Sequence, residues 1–271
     1  MPTPTEKHSN SLAKQSSKKR KEPTAAAPCE AALQPTAKKP KKNRNKKAKR
    51  SEEDESLFDL EKSINTAFAF MDPSLTADYL AQKIEWAGKD LSAVEIADLE
   101  ISGNYIHETS SYQEPRTLDN MANFIEKFSS KTEFMKVPEQ NGAPHTIIIA
   151  GAGMRAADVV RAMRKFQSKD VKVAKCFAKH IKMEEATKFL SSHKTVVAVG
   201  TPQRLIDLVE NGALNVNNLR YMIIDASHID EKKRGILDMK ETLLPLCQWL
   251  KMDRFKERYI HEKHPLRLMF Y

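Results

Sequence analysis

The stretch "TIIIAGAGMRAADVV" places Gly151, Gly153 and Ala156 behind an apolar run in the order Gly-x-Gly-x-x-Ala. That spacing lets a turn carry backbone N–H groups to a pyrophosphate at a helix N-terminus. The chemistry would be that of a Rossmann-type enzyme using NAD or S-adenosylmethionine. It also requires an acid roughly 20 positions on, at the end of the second strand, for the ribose hydroxyl. Lys175, Lys179 and His180 occupy that region instead, and the first acid is Glu184. A phosphate loop of the Gly-x-x-x-x-Gly-Lys-Ser/Thr kind occurs nowhere in the chain; the Lys131-Thr132 pair in "SSKTEF" has no preceding glycine. The remaining reading is a strand–turn–helix whose glycines serve tight packing.

Other residues of reactive type weigh less. Asp225 and Asp230 read as a strand end and a helix cap rather than as paired carboxylates. Asp225, Ser227 and His228 have the types of a hydrolase triad, but neighbours on one turn rarely converge on each other. His261 and His264 lack a third metal ligand nearby and read as a solvated face. Cys29, Cys176 and Cys247 fit no zinc spacing and no disulfide framework, which points to a reducing compartment. Cys176 reads as a buried strand residue, and Cys247 with Trp249 as core or partner-facing. No cofactor and no metal is expected.

Charge is divided unevenly. Residues 1–50 hold 15 Lys or Arg against three Glu, a net of +12, whereas the rest holds 30 basic against 33 acidic residues. The basic residues cluster as "KKRK" (Lys18, Lys19, Arg20, Lys21) and "KKPKKNRNKKAKR" (Lys38, Lys39, Lys41, Lys42, Arg44, Lys46, Lys47, Lys49, Arg50). Such runs act as nuclear import signals or as arms that contact phosphates. The first cluster is assigned to import and the second to RNA. Without an aromatic residue before Phe58 the arm cannot stack on bases, so it should bind without sequence preference. Before Leu57 the only sizeable apolar side chains are Met1, Leu12 and Leu33, too few to offset the entropy of ordering. Residues 1–56 are therefore expected to be a disordered basic tail, ending in the acidic linker "SEEDES". Ser51 and Ser56 there read either as phosphorylation sites or as plain linker. No apolar run approaches the roughly 18 residues of a membrane span, and no secretory signal opens the chain. The expectation is a soluble intracellular protein with no membrane partner.

The elements that must position these residues alternate. "LTADYLAQKIEW" sets Leu75, Tyr79, Leu80 and Ile84 near one helical face. Ser92 and Glu95 have capping-box spacing, and Leu118, Met121, Ile125 and Phe128 recur at helical intervals. Residues 57–139 read as a helical extension. Strand-like runs then appear at 146–150, 171–177, 195–199, 220–224 and 267–271, with helical stretches near 155–167, 182–192, 202–210 and 236–250. That alternation predicts an α/β domain over 140–271 with a mainly parallel sheet. Ligands gather at the carboxyl edge of such sheets, which makes Lys179 and His180 candidates for RNA or protein contact.

Two stretches resemble the DEAD-box helicases. "VAVGTPQRL" places Thr201, Pro202 and Arg204 where that family has a Thr-Pro-Gly-Arg turn touching the RNA backbone, with Gln203 in place of Gly. "YMIIDASHID" places Asp225 at the first position of Asp-Glu-Ala-Asp, followed by Ala226, Ser227 and His228. The resemblance implies one RecA-like domain, an Asp225 in the place of a magnesium-assisting acid, and Ala226 in the place of the catalytic Glu. It makes Thr201 and Arg204 candidate RNA contacts. The chain ends within "PLRLMFY", where a helicase would continue into a second domain, so a degenerate, non-enzymatic form is expected.

"DLSAVEIADLEI", "AGAGMRAADVVRAMR", "FAKHIKMEEA", "GTPQRL" and "IDASHID" together are similar to the 90S pre-ribosomal complex subunit family, nucleolar DEAD-box-like proteins. The resemblance implies a non-catalytic assembly or scaffold factor of the early small-subunit pre-ribosome, located in the nucleus and nucleolus. Its partners would be pre-ribosomal RNA and ribosome-assembly proteins, within a large ribonucleoprotein rather than a homo-oligomer. A nuclear protein–protein adaptor without RNA contact is the alternative, and a Rossmann-type enzyme a more distant one.

Overall fold

A computed structural model describes residues 57–129, 136–178 and 181–271, all within one compact unit. The basic clusters at 18–21 and 38–50 lie outside the described residues, as do Lys179 and His180. The alternating half forms β3 (Thr146–Ile149), α4 (Gly153–Ala162), β4 (Val171–Cys176), α5 (Met183–Ser192), β5 (Lys194–Gly200) and α6 (Pro202–Glu210). It continues through β6 (Tyr221–Ile224), α7 (Lys240–Leu250), α8 (Asp253–Tyr259) and β7 (Arg267–Phe270). The five strands are all parallel, in the order β4-β5-β3-β6-β7, so the expected α/β class with a mainly parallel sheet is what forms.

Strand composition explains the burial. Every residue of β3 (TIII) and β6 (YMII) is buried, as strands covered on both faces require. Ile147, Ile149, Ala198, Met222 and Ile224 face one core, while Ile148, Val197, Val199, Ile223 and Met269 face the other. The period of two along a strand sends neighbours to opposite layers.

Residues before 140 supply covers for both faces. They comprise a short hairpin, β1 (Phe58–Asp59) with β2 (Ile64–Asn65), then α1 (Pro73–Ala87), α2 (Ala93–Leu99) and α3 (Met121–Phe128). Leu80 and Ile84 of α1 share a core with Ile147, Leu246 and Trp249. On the other face, Met121, Phe124 and Ile125 of α3 pack with Ile148, Met269 and Tyr271. Thus the region read as an extension opens with a hairpin and is built into the two cores of the sheet. Asp72 caps α1 through Leu75 N–H at 2.8 Å, and Ser92 and Glu95 complete the expected capping box on α2. The α1 stripe differs from expectation: Leu75 is 55% exposed, and Thr76 takes the inward position with Leu80, Ile84 and Ala87. At about 100° per residue, one position decides which way a side chain points.

Cys176, Cys247 and Trp249 are core residues, and burial pushes both thiols up to about 12, which leaves them inert. His261 and His264 sit beyond α8, where His264 N–H donates to His261 Nδ1 at 3.2 Å.

Candidate functional site

The carboxyl edge of the sheet gathers most of the sequence motifs. β5 ends at Gly200, where a Cβ would lie 2.5 Å from the Cys176 carbonyl oxygen and 2.7 Å from Leu205 Cγ. That close approach is what the glycine before Thr201 provides. Thr201 N–H donates to Cys176 O at 3.2 Å, and Pro202 occupies the first position of α6 as its missing N–H predicts. Arg204 is half-buried and reaches Ile181 O at 3.3 Å. Thr201 and Arg204 therefore stand together at this edge.

Gly151 has a different neighbour. A Cβ on it would lie 3.1 Å from Ile236 Cα, and Ile236 is buried. The chain segment after β6 packs directly against this turn. The glycine serves packing.

Asp225 ends β6 and is buried, with its N–H bonded to Ile149 O at 2.9 Å. It caps no helix. Instead Arg155, in the first turn of α4, grips it bidentately, Nε to Oδ2 at 2.7 Å and Nη2 to Oδ1 at 3.0 Å. Burial opposes the Arg155 charge, but the facing Asp225 carboxylate outweighs it and holds the guanidinium above its ordinary value. The strand-end reading of Asp225 stands, whereas the helix-cap reading of Asp230 is corrected, since no helix begins there and the acid closes a turn. Asp230, the other acid considered, closes its own turn by accepting from Lys232 and Arg234 N–H and pairing with the Arg234 side chain.

The rest of the Asp-Ala-Ser-His segment is held on two sides. Ala226 and Ser227 N–H donate to Tyr271 O at 2.8 and 2.7 Å. From the other side, Asn65 N–H donates to Ser227 O at 2.7 Å, and Ile64 bridges His228 in antiparallel fashion. Burial, and then the Arg155 charge, keep the His228 imidazole below its usual range. Ser227 Oγ makes no hydrogen bond among the described residues. No nucleophile–base–acid relay is assembled from Asp225, Ser227 and His228.

Beyond β7, Ile106 pairs in parallel with Leu268, and His107 N–H donates to Leu268 O at 2.7 Å. A loop over 108–117 follows and leads into α3, which repeats strand–loop–helix at the edge of the sheet. This loop contains no glycine. Its Arg116 is 2% exposed and turns into the crevice, donating to the Phe270 carbonyl and to Thr109 O and Oγ1 at 3.3 and 3.1 Å. Burial pulls this guanidinium down to about 10. What space remains is a cavity of about 190 Å³, bordered by Phe70, Pro115, Arg116 and Ser227. That is below the roughly 300–1,000 Å³ usual for a small-molecule pocket.

Arg155, Arg116 and the hairpin were not among the sequence candidates. Arg155 did leave a signal: a cation in the first turn of a helix opposes the macrodipole, so it needs an acid elsewhere. Arg116 left none.

Fold and site define a parallel α/β domain whose carboxyl-edge crevice is occupied by its own side chains. The sequence comparison then places it: residues 3–271 match the family described as CMS1, U3-containing 90S pre-ribosomal complex subunit, and the chain belongs to that family. It is 53% identical to Protein CMS1 of Chaetomium thermophilum over 234 residues, covering 86% of this chain and 93% of that protein. It is 32% identical to Protein cms1 of Schizosaccharomyces pombe over 212 residues, 78% and 74% of the two chains. Similarity extends to the ATP-dependent RNA helicase dbp3 of Emericella nidulans, 28% over 113 residues, 41% of this chain and 22% of that one. Among solved structures it resembles a DEAD box protein from Methanococcus jannaschii, with TM-score 0.33 and 20% identity, covering 51% of this chain and a third (33%) of that one.

Proposed function

We propose that the chain is a non-catalytic assembly or scaffold subunit of the early small-subunit pre-ribosome, acting in the nucleus and nucleolus. Its basic arm contacts RNA phosphates while the folded domain docks ribosome-assembly proteins. Family membership supports the assembly role. The observation that carries the non-catalytic reading is the Arg155–Asp225 pair. An acid whose side chain is 1% exposed and gripped bidentately by an internal guanidinium, with Arg116 turned into the adjacent crevice, is not presented to a metal–nucleotide complex. Ala226 follows where the helicase resemblance has a carboxylate that orients water.

Ultraviolet crosslinking of the tagged protein in cells, followed by sequencing of attached RNA, tests the assembly role. Enrichment of small-subunit ribosomal precursor over messenger RNA is the expected result. No enrichment above an untagged control would favour the adaptor without RNA contact. Titration with ATP and magnesium tests the other half. Saturable micromolar binding that Gly153→Asp abolishes would return the domain to the nucleotide-using class.

A further inference from the structure

We propose that the amino edge of the sheet, at the opposite end of the strands from the crevice, holds one phosphate group of an RNA backbone between Arg220, Lys263 and Arg267. The inference rests on the reading that the chain works in an RNA-containing particle, and it gives the folded domain an RNA contact separate from the arm. Arg220 directly precedes β6 and Arg267 opens β7, where Tyr221 and Arg267 are register partners. Arg267 N–H donates to Arg220 O at 2.9 Å, so two adjacent strand starts bring two guanidinium groups to one spot. The connection from α8 to β7 adds Lys263, His264 and Pro265 around a cavity of about 80 Å³.

Size and chemistry limit the occupant. At about 80 Å³ the cavity is well below the roughly 300–1,000 Å³ of a small-molecule pocket and is on the scale of a few waters or one tetrahedral oxyanion. Among the described residues its wall offers cationic donors and no carboxylate. Among the described ion pairs none involves Arg220, Lys263 or Arg267. Solvated surfaces ordinarily intersperse charges of both signs, so three unneutralised cations around one cavity favour an anion there. Neighbouring groups register the excess: Arg258 is held low by burial and then by Arg220, and His107 by burial and then by Arg267.

One arm of the cavity is already oriented. Arg267 Nη1 donates to Phe128 O at 2.9 Å, and the guanidinium lies 5.9 Å from the Tyr221 ring centroid. Its planar guanidinium fork suits phosphate. A peptide would need apolar wall for its side chains, and the cavity supplies almost none. An RNA phosphate is the better fit.

The test uses the full chain and a fluorescent oligouridylate. The nine basic residues between 38 and 50 are changed to Gln in one background and left intact in another. In the neutralised-arm chain RNA binding should persist. Arg220→Gln with Lys263→Gln should then weaken it roughly fivefold or more and flatten the salt dependence by about 0.7 for each phosphate no longer neutralised. Lys263→Arg, which keeps the charge, should retain binding. Lys263→Glu alone, at an exposed loop residue, should weaken binding without lowering the melting temperature, which separates charge from folding. Unchanged affinity in the Gln variants, or no residual binding once the arm is neutralised, would overturn the pocket while leaving arm-mediated RNA contact standing. Tighter binding of polyglutamate than of RNA, abolished in the same variants, would overturn it in favour of an acidic peptide. Absence of precursor crosslinks for the intact chain would instead sink the assembly role itself.

Discussion

Arg155 and Asp225 exclude water from each other, their side chains 11% and 1% exposed. Removing one partner of such a pair strands the other charge, at a cost of about 3–5 kcal/mol. Arg155→Ala should therefore lose stability on that scale in urea unfolding, whereas the apolar swap Arg155→Met with Asp225→Leu should recover most of it. If the single change proves neutral, the pair has no structural role. Two half-buried histidines make a second prediction. Burial is the first cause that sets His107 and His228 below the ordinary value of 6.5, with Arg267 and Arg155 adding to it. A histidine depressed in the folded state binds fewer protons there than in the unfolded chain. Its contribution is full above about 6.5 and is lost as pH falls through the window below that value. Unfolding midpoints should drop on acidification from about pH 7.5 to about 5.5, and a double change of both to Asn should flatten the slope.

At the scale of elements, the turn between β5 and α6 is the tightest joint at the carboxyl edge. Gly200 lies against the Cys176 carbonyl and Leu205, neither of which can retreat without moving a strand or the buried face of α6. Gly200→Ala should cost about 1–3 kcal/mol through overpacking and should displace Thr201 and Arg204. Amide exchange of α6 would show it, and unchanged protection would mean that the turn yields. This joint was legible beforehand, because Gly-Thr-Pro after an apolar run spells strand, turn and helix start. The stripe on α1 was less legible: Leu75 and Thr76 are adjacent, and hydropathy favoured the residue that ended outside.

For the whole molecule, residues on either side of 140 share both cores. Tyr271 Oη donates to Thr117 O at 2.5 Å and its ring meets Phe124 at 4.7 Å, while Arg116 bonds the Phe270 carbonyl. On the opposite face Leu80 and Ile84 pack with Trp249. Residues 57–271 should consequently unfold in one calorimetric transition, and a chain beginning at 140 should fail to fold independently, because two sheet faces would lose their covers. Two separated transitions would show instead that the segment before 140 is an autonomous unit.

The amino-acid sequence by itself determined the α/β class, the five strands and most helix starts. These follow from local periodicity, caps and turn residues, which act over a few positions. It also carried the family motifs, since those are strings. Only the tertiary structure decided that Gly151 faces Ile236, that Asp225 is held by Arg155 from 70 positions away, and that Arg116 reaches the Phe270 carbonyl across the chain. The same holds for the cationic cavity at the amino edge, where strand register sets Arg267 beside Tyr221. Such contacts depend on strand order and on which helix covers which face, and a one-dimensional pattern does not encode the distance between two remote side chains.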